Sequence, residues 1–142
     1  MAKNNIIRYS DEELEFFRNN IMMSKDETLE EIAMLKERLE DLNSSNNADE
    51  NTTFGMHMGD QGSEAQEMEK TYAQIQRMND YLKKLDEALE RIDNKVYGIC
   101  RECNILIAKE RLMAVPITTL SASYKIQEKC PEDGIDRIQS QR

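Results

Sequence analysis

Apolar positions recur at alternating spacings of three and four along two long stretches of the chain. The first stretch carries Leu14, Phe17 and Ile21, then Ile32, Leu35, Leu39 and Leu42. That spacing is the seam of a coiled coil. Between Ile21 and Ile32 the phase slips by four residues, a stutter that locally unwinds a supercoil. Ser10 precedes Asp11, Glu12 and Glu13. A serine there caps orphan N–H groups, Glu13 holds the capping-box position, and the acids suit the positive end of the helix dipole. The pattern predicts a helix from Ser10 to about Leu42. The second stretch, 64–95, carries Met68, Ile75, Leu82, Leu89 and Val96 in one row. Met78, Leu85 and Ile92 form the companion row, with Thr71 its weak member. Residues 43–63 are rich in Asn, Ser, Thr and Gly and read as the loop between the two. Two helices of similar length joined by one loop predict an antiparallel coiled-coil hairpin, a rod of roughly 48 Å. The stripes themselves read as packing between helices.

Beyond Gly98 the pattern becomes compact. Ile99, Ile105, Leu106, Ile107, Leu112, Val115, Ile117 and Leu120 suffice for a small core. Pro116 marks an extended segment or turn after KERLMAV. Residues 121–130 read as a short helix, and 131–142 as a polar tail of disordered composition. The expected organisation is 1–96 for the N-terminal segment and hairpin, 97–130 for a zinc-finger-like module, and 131–142 for the tail. The fold class is mainly α.

Composition narrows the function. Charged residues make up 33% and aromatics 6% of the 142 residues, with no Trp, which suits exposed helices better than a globular core. The net charge of −9 makes the chain a poor ligand for a phosphate backbone, so a protein partner is expected rather than sequence-specific DNA binding. No apolar run approaches the ~20 residues that cross a membrane. The N-terminus, MAKNNIIRYSDEE, lacks an apolar stretch followed by a small-residue cleavage site. A cytoplasmic location is expected, and the odd count of three cysteines argues against a disulfide scaffold.

The chemistry centres on a half-site. Cys100 and Cys103 form a CxxC pair just after Gly98, a common opening of a tetrahedral zinc site. A second CxxC is needed some 15–20 residues on. That place holds Ser121 and Tyr124, and the remaining cysteine, Cys130, lies nine residues past Ser121. The pair reads as two small buried hydrophobes, as zinc ligands completed by Cys130 and a fourth group, or as a redox CxxC without a thioredoxin-like context. A hydroxyl or phenol is a poor substitute ligand, so no stoichiometric zinc and no other cofactor are expected. The sole histidine, His57, sits in the predicted loop, a rod's length from Cys100.

The stretch ALERIDNKVYGICRECNILIAKERLMAVPITTL resembles the junction and globular module of the DksA/TraR family of bacterial transcription factors, a C4-type zinc-finger family. Ala88, Leu89, Arg91, Ile92, Tyr97, Gly98, Cys100, Cys103, Ile107, Arg111, Leu112, Ala114 and Pro116 carry the likeness. With the hairpin, it covers roughly residues 10–128. Lys95 and Asn104 replace frequent glycines, and Ser121 and Tyr124 replace the last two zinc cysteines, as in a degenerate subgroup.

The resemblance implies that the coiled coil enters the secondary channel of RNA polymerase and modulates initiation, often together with guanosine tetraphosphate, as in the stringent response. By family register Asp60 takes the acidic tip position facing the polymerase active site, with Glu64 a second carboxylate. Turn chemistry alone would also place an aspartate in MGDQGS. Arg77 is implied at the polymerase rim, and Lys84 and Arg111 at the alarmone. Val115 stands where the family carries a basic residue, which counts against nucleotide binding. On the residues alone, these cations read as a solvated helix face. No nucleophile–base pair suggests an enzyme. Two other functions fit the pattern: a Gre-type transcript cleavage factor, which needs two clustered tip acids, and a structural coiled-coil adaptor that self-associates through its seam.

Overall fold

The computed structural model describes residues 7–52 and 58–138, and of 45–52 and 58–62 only the backbone. It is mainly helical. Helix α1 spans Asp11–Thr52, α2 Met58–Asp93, α3 Lys109–Ala114 and α4 Ala122–Gln127. Among the described residues the only β pairing is an isolated bridge between Ile99 and Leu106. The chain divides into two compact units, one of residues 1–24 and 84–142, the other of residues 25–83. The division in α1 falls at Ser24–Lys25, inside the stretch where the heptad phase slips.

The start of α1 follows its sequence signals. The Glu13 N–H donates to the Ser10 hydroxyl and the Ser10 N–H donates back to the Glu13 carboxylate, each at 3.1 Å. This reciprocal box satisfies two of the donors that a helix start leaves without partners.

In the first unit the opening turns of α1 run antiparallel to the last turns of α2. Arg18 pairs with Asp93, and the rings of Phe17 and Tyr97 lie 5.4 Å apart. Leu14, Phe17 and Ile21 of α1, Leu85, Ala88 and Ile92 of α2, and Tyr9, Tyr97, Ile107 and Leu112 are all buried in this unit, with the Phe17 ring against both Tyr9 and Tyr97. Fully burying each such aliphatic or aromatic side chain contributes roughly 1.5–3 kcal/mol. Two tyrosines carry their hydroxyls inward and satisfy them on backbone carbonyls. Tyr9 donates to the Ile107 carbonyl, and Tyr97 to that of Pro116 at 2.8 Å. Burial pushes the Tyr9 phenol up to about 12, with Glu13, Asp136 and Glu110 adding to the effect.

In the second unit α1 and α2 again pair antiparallel. Ile32, Leu39 and Ile75 form the buried centre, flanked by Leu35, Met68, Met78 and Leu82. Thr71, the weak member of its row, is buried all the same. Its hydroxyl donates to the Glu67 carbonyl one turn back at 2.8 Å, which meets the cost of placing a polar group in the seam. The Arg38–Glu67 ion pair crosses between the helices beside it.

Four expectations are corrected. The loop of 43–63 is mostly helix, since α1 continues to Thr52 and α2 begins at Met58. No Gly or Pro stands between Asn43 and Thr52, and extending a formed helix over Asn and Ser costs only tenths of a kcal/mol per residue. Val96 leaves the seam and is exposed, because α2 ends at Asp93 and the chain turns through Lys95 at φ 66. Val115, expected in the small core, is exposed beyond the end of α3, a helix the sequence did not announce. Cys103 and Cys130 form a disulfide with Cα atoms 5.5 Å apart. α4 and its left-handed cap at Glu128 turn the chain back, so Cys130 reaches a partner that sequence spacing hid.

The tail is also more than a polar extension. The Asp136 carboxylate accepts from the N–H groups of Ala108 (2.9 Å), Ala122 (3.1 Å) and Ser123 (2.9 Å) and from the Ser123 hydroxyl (3.0 Å). One side chain thus serves the N-terminal ends of both α3 and α4, a suitable place for a negative charge. These bonds outweigh burial, and Asp136 is held below the usual carboxylate range.

Candidate functional site

Residues 97–107 form a tight knuckle. Gly98 takes φ +81, and its carbonyl accepts from Ile107 at 2.7 Å. The Cys100 N–H donates to Ile105, and the Asn104 N–H returns to the Cys100 carbonyl, both at 2.8 Å. Asn104 is left-handed at φ 58, as Lys95 is at φ 66. Both positions where the family resemblance expects glycine therefore keep the backbone conformation that glycine adopts at least cost.

Inside the knuckle the Cys100 thiol is fully buried. Burial pushes it up, but the N–H groups of Ser121, Cys103 and Glu102 and the Ser121 hydroxyl bond its sulfur and hold it below the ordinary thiol value. Ser121, standing where a third zinc cysteine would be, is itself fully buried and caps α4. Its hydroxyl accepts from the Tyr124 N–H at 3.1 Å. The position where the resemblance expects a zinc ligand is a helix cap. These residues do not fit a zinc ion in this form. Cys103 is bonded to Cys130, and no group of three or more His, Cys, Asp or Glu among the described residues is arranged to hold a metal.

Beside the knuckle, within the same unit, lies a cavity of about 390 Å³. Its cations are Lys84 and Arg91 from α2, Arg101 from the CxxC turn, Arg111 from α3 and Lys125 from α4, against one carboxylate, Glu87. In a chain of net charge −9 this is a marked local reversal. Val115, Ile117 and Leu120 supply the apolar part of its wall.

The cations differ in their commitments. Arg111 donates from Nε to the Leu120 carbonyl at 2.9 Å and from Nη2 to the Thr118 hydroxyl at 3.1 Å, fixing the loop before α4. Arg101 lies 3.8 Å from Glu102. Arg91 is half-buried and has one guanidinium nitrogen, Nη2, with no hydrogen-bond partner. Burial pulls Arg91 below its ordinary value, with Tyr97 and Glu87 opposing that. A half-buried guanidinium with an unbonded nitrogen, in a cavity shared with four other cations, suits a multiply charged oxyanion.

The structure brings Lys84 and Arg111 to this one cavity. Arg91, Arg101 and Lys125 join them. Their signal in the sequence was only a scatter of basic residues across three elements, which a helix-by-helix reading assigns to solvent. Arg77 lies in the other unit and is exposed. Glu64 is in that unit too, with its Oε1 buried and without a hydrogen-bond partner. Asp60 falls in the first turn of α2, but its side chain, like the whole of His57, lies outside the described residues.

No family model matches the chain. The fold is similar to that of transcription factor DksA2 from Pseudomonas aeruginosa, with a TM-score of 0.67 and 26% identity over 81% of each chain. A stretch of 82 residues is 34% identical to the uncharacterized protein YteA of Bacillus subtilis, covering 58% of this chain. The chain spans about a third of the length of that relative, 34%. The architecture is therefore of the DksA type. No helix among the described residues is long and apolar enough to cross a membrane.

Proposed function

We propose that this chain is a transcription regulator that binds RNA polymerase through the secondary channel and modulates initiation. The observation that carries the reading is the likeness to a transcription factor over four-fifths of both chains, 81%. In this reading the end of the hairpin where α2 begins enters the channel, with Asp60 and Glu64, both in the opening turns of α2, as its carboxylates. Arg77 touches the channel rim. The protein performs no catalysis of its own, reads no DNA sequence, and works in the cytoplasm. It belongs with the degenerate relatives whose zinc pair is incomplete.

The cavity supplies the second part of the reading. Five cations around a space with an apolar wall suit a nucleotide that carries clustered phosphates, such as guanosine tetraphosphate. Loss of a basic group at Val115 is offset by Arg101 and Lys125.

A pull-down of core RNA polymerase with the purified chain tests the partner. Retention is expected, and it should survive Asp60→Asn while regulation in a purified transcription assay is lost. An adaptor would self-associate on a sizing column and leave polymerase unbound.

A further inference from the structure

The disulfide lines no part of the basic cavity, but it joins two segments that each carry one of the cavity's cations. Cys103 closes the turn that carries Arg101, and Cys130 follows α4, which carries Lys125. Two of the five cations therefore stand on the two segments that this bond joins. α4 is six residues long, too short to hold its shape unaided. Its start is secured by the Ser121 cap and by Asp136. The covalent tie lies just past its other end, after the left-handed Glu128. Cys130 is exposed and Cys103 is partly so, whereas Cys100 is buried.

We propose that the Cys103–Cys130 bond is a redox latch that sets the grip of the basic cavity on phosphate-bearing anions. This rests on reading the cavity as an anion site, as above. With the bond closed, Arg101 and Lys125 are held to the same cavity. A dithiol reductant opens it by donating two electrons and two protons. The S–S bond breaks, both protein sulfurs leave as thiols, and the reductant closes into its own disulfide. The far half of α4 then loses its tie, Lys125 moves more freely, and part of the preorganised positive field is lost. Cys100 stays a thiol throughout.

Inorganic pyrophosphate is the probe. It is titrated calorimetrically into the full chain, oxidised in one sample and reduced in the other, with the bond mapped by peptide mass. Binding should weaken about threefold to tenfold on reduction, as expected for lost preorganisation. Cys130→Ser should bind like the reduced chain whether or not dithiol is present. Amide exchange across 122–129 should quicken on reduction in the wild type only. Equal affinity in both states, or failure of the bond to form on mild oxidation, overturns the latch and leaves the cavity reading intact. Pyrophosphate ignored in both states overturns the cavity reading and the latch with it. Polymerase retention is scored separately and depends on neither result.

Discussion

The ring of Tyr9 lies so close over Gly98 that a Cβ there would stand 2.8 Å from two of its carbons. The Leu112 methyl would be 3.1 Å away on another side, and the residue holds φ +81. Gly98→Ala should therefore combine a left-handed alanine, costing about 1–2 kcal/mol, with overpacking of about 1–3 kcal/mol. Urea unfolding should show a loss of roughly 2–4 kcal/mol at unchanged m-value. Tyr9→Phe, which keeps the ring and gives up the bond to Ile107, should cost about 1–2 kcal/mol.

Lys95 predicts the opposite sign. It is left-handed at φ 66 and forms an exposed ion pair with Asp11 at 3.1 Å. Relief of backbone strain by glycine is worth about 1 kcal/mol, against a few tenths for the surface pair. Lys95→Gly should stabilise by roughly 0.5 kcal/mol in thermal melts, and Lys95→Val should destabilise. Asn104→Gly should be near neutral, since asparagine tolerates this conformation.

Acid should weaken the junction between α1 and α3 through Glu13. Its carboxylate is lowered from 4.5 to about 2, first by the Lys109 ammonium at 2.5 Å, then by the Ser10 N–H and hydroxyl, against a small burial penalty. A depressed folded value means the stabilisation is present above the unfolded value of 4.5 and is lost as pH falls toward 2. The urea midpoint should drop between about pH 5 and about pH 2.5, and Glu13→Gln should flatten that slope. Asp136, also held low, contributes in the same direction. Asp136→Asn should cost about 2 kcal/mol at neutral pH by weakening the charge-assisted bonds to both helix starts.

Arg91 separates binding from folding. Its Nη2 is buried without a hydrogen-bond partner, so Arg91→Met, which keeps the aliphatic stem, should leave stability within about 0.5 kcal/mol or raise it. Pyrophosphate affinity should fall about tenfold, equal to ~1.4 kcal/mol. A large loss of stability with unchanged affinity would show that the guanidinium serves packing instead.

Residues differ in how far their roles could be read in the sequence. Ser10 and Glu13 announced the start of α1 because capping is local chemistry between neighbours. Leu14, Phe17, Ile21, Ile32 and Leu39 announced the seam because burial imposes a period. The helix ends were missed because Asn, Ser and Gly weaken a helix without forbidding it. Cys130 and Asp136 were missed for another reason. Each acts on groups 13 to 28 residues away that come near only once α3 and α4 have formed. The cavity follows the same rule, since Lys84, Arg101 and Lys125 share no helix face. Lys95 and Asn104 did carry a signal. They fill positions where the family resemblance expects glycine, and the backbone there has the shape that glycine favours.

The Cys103–Cys130 bond also closes a covalent ring, 27 residues from one cysteine to the other, that contains α3, the Ser121 cap and α4. A protease that cuts once inside this ring, between 104 and 129, separates no fragment. The clipped chain should run as a single species on a non-reducing gel and part into two only when dithiol is added. Any assay of this protein after limited digestion therefore reports the redox state of the sample as well as the site of the cut.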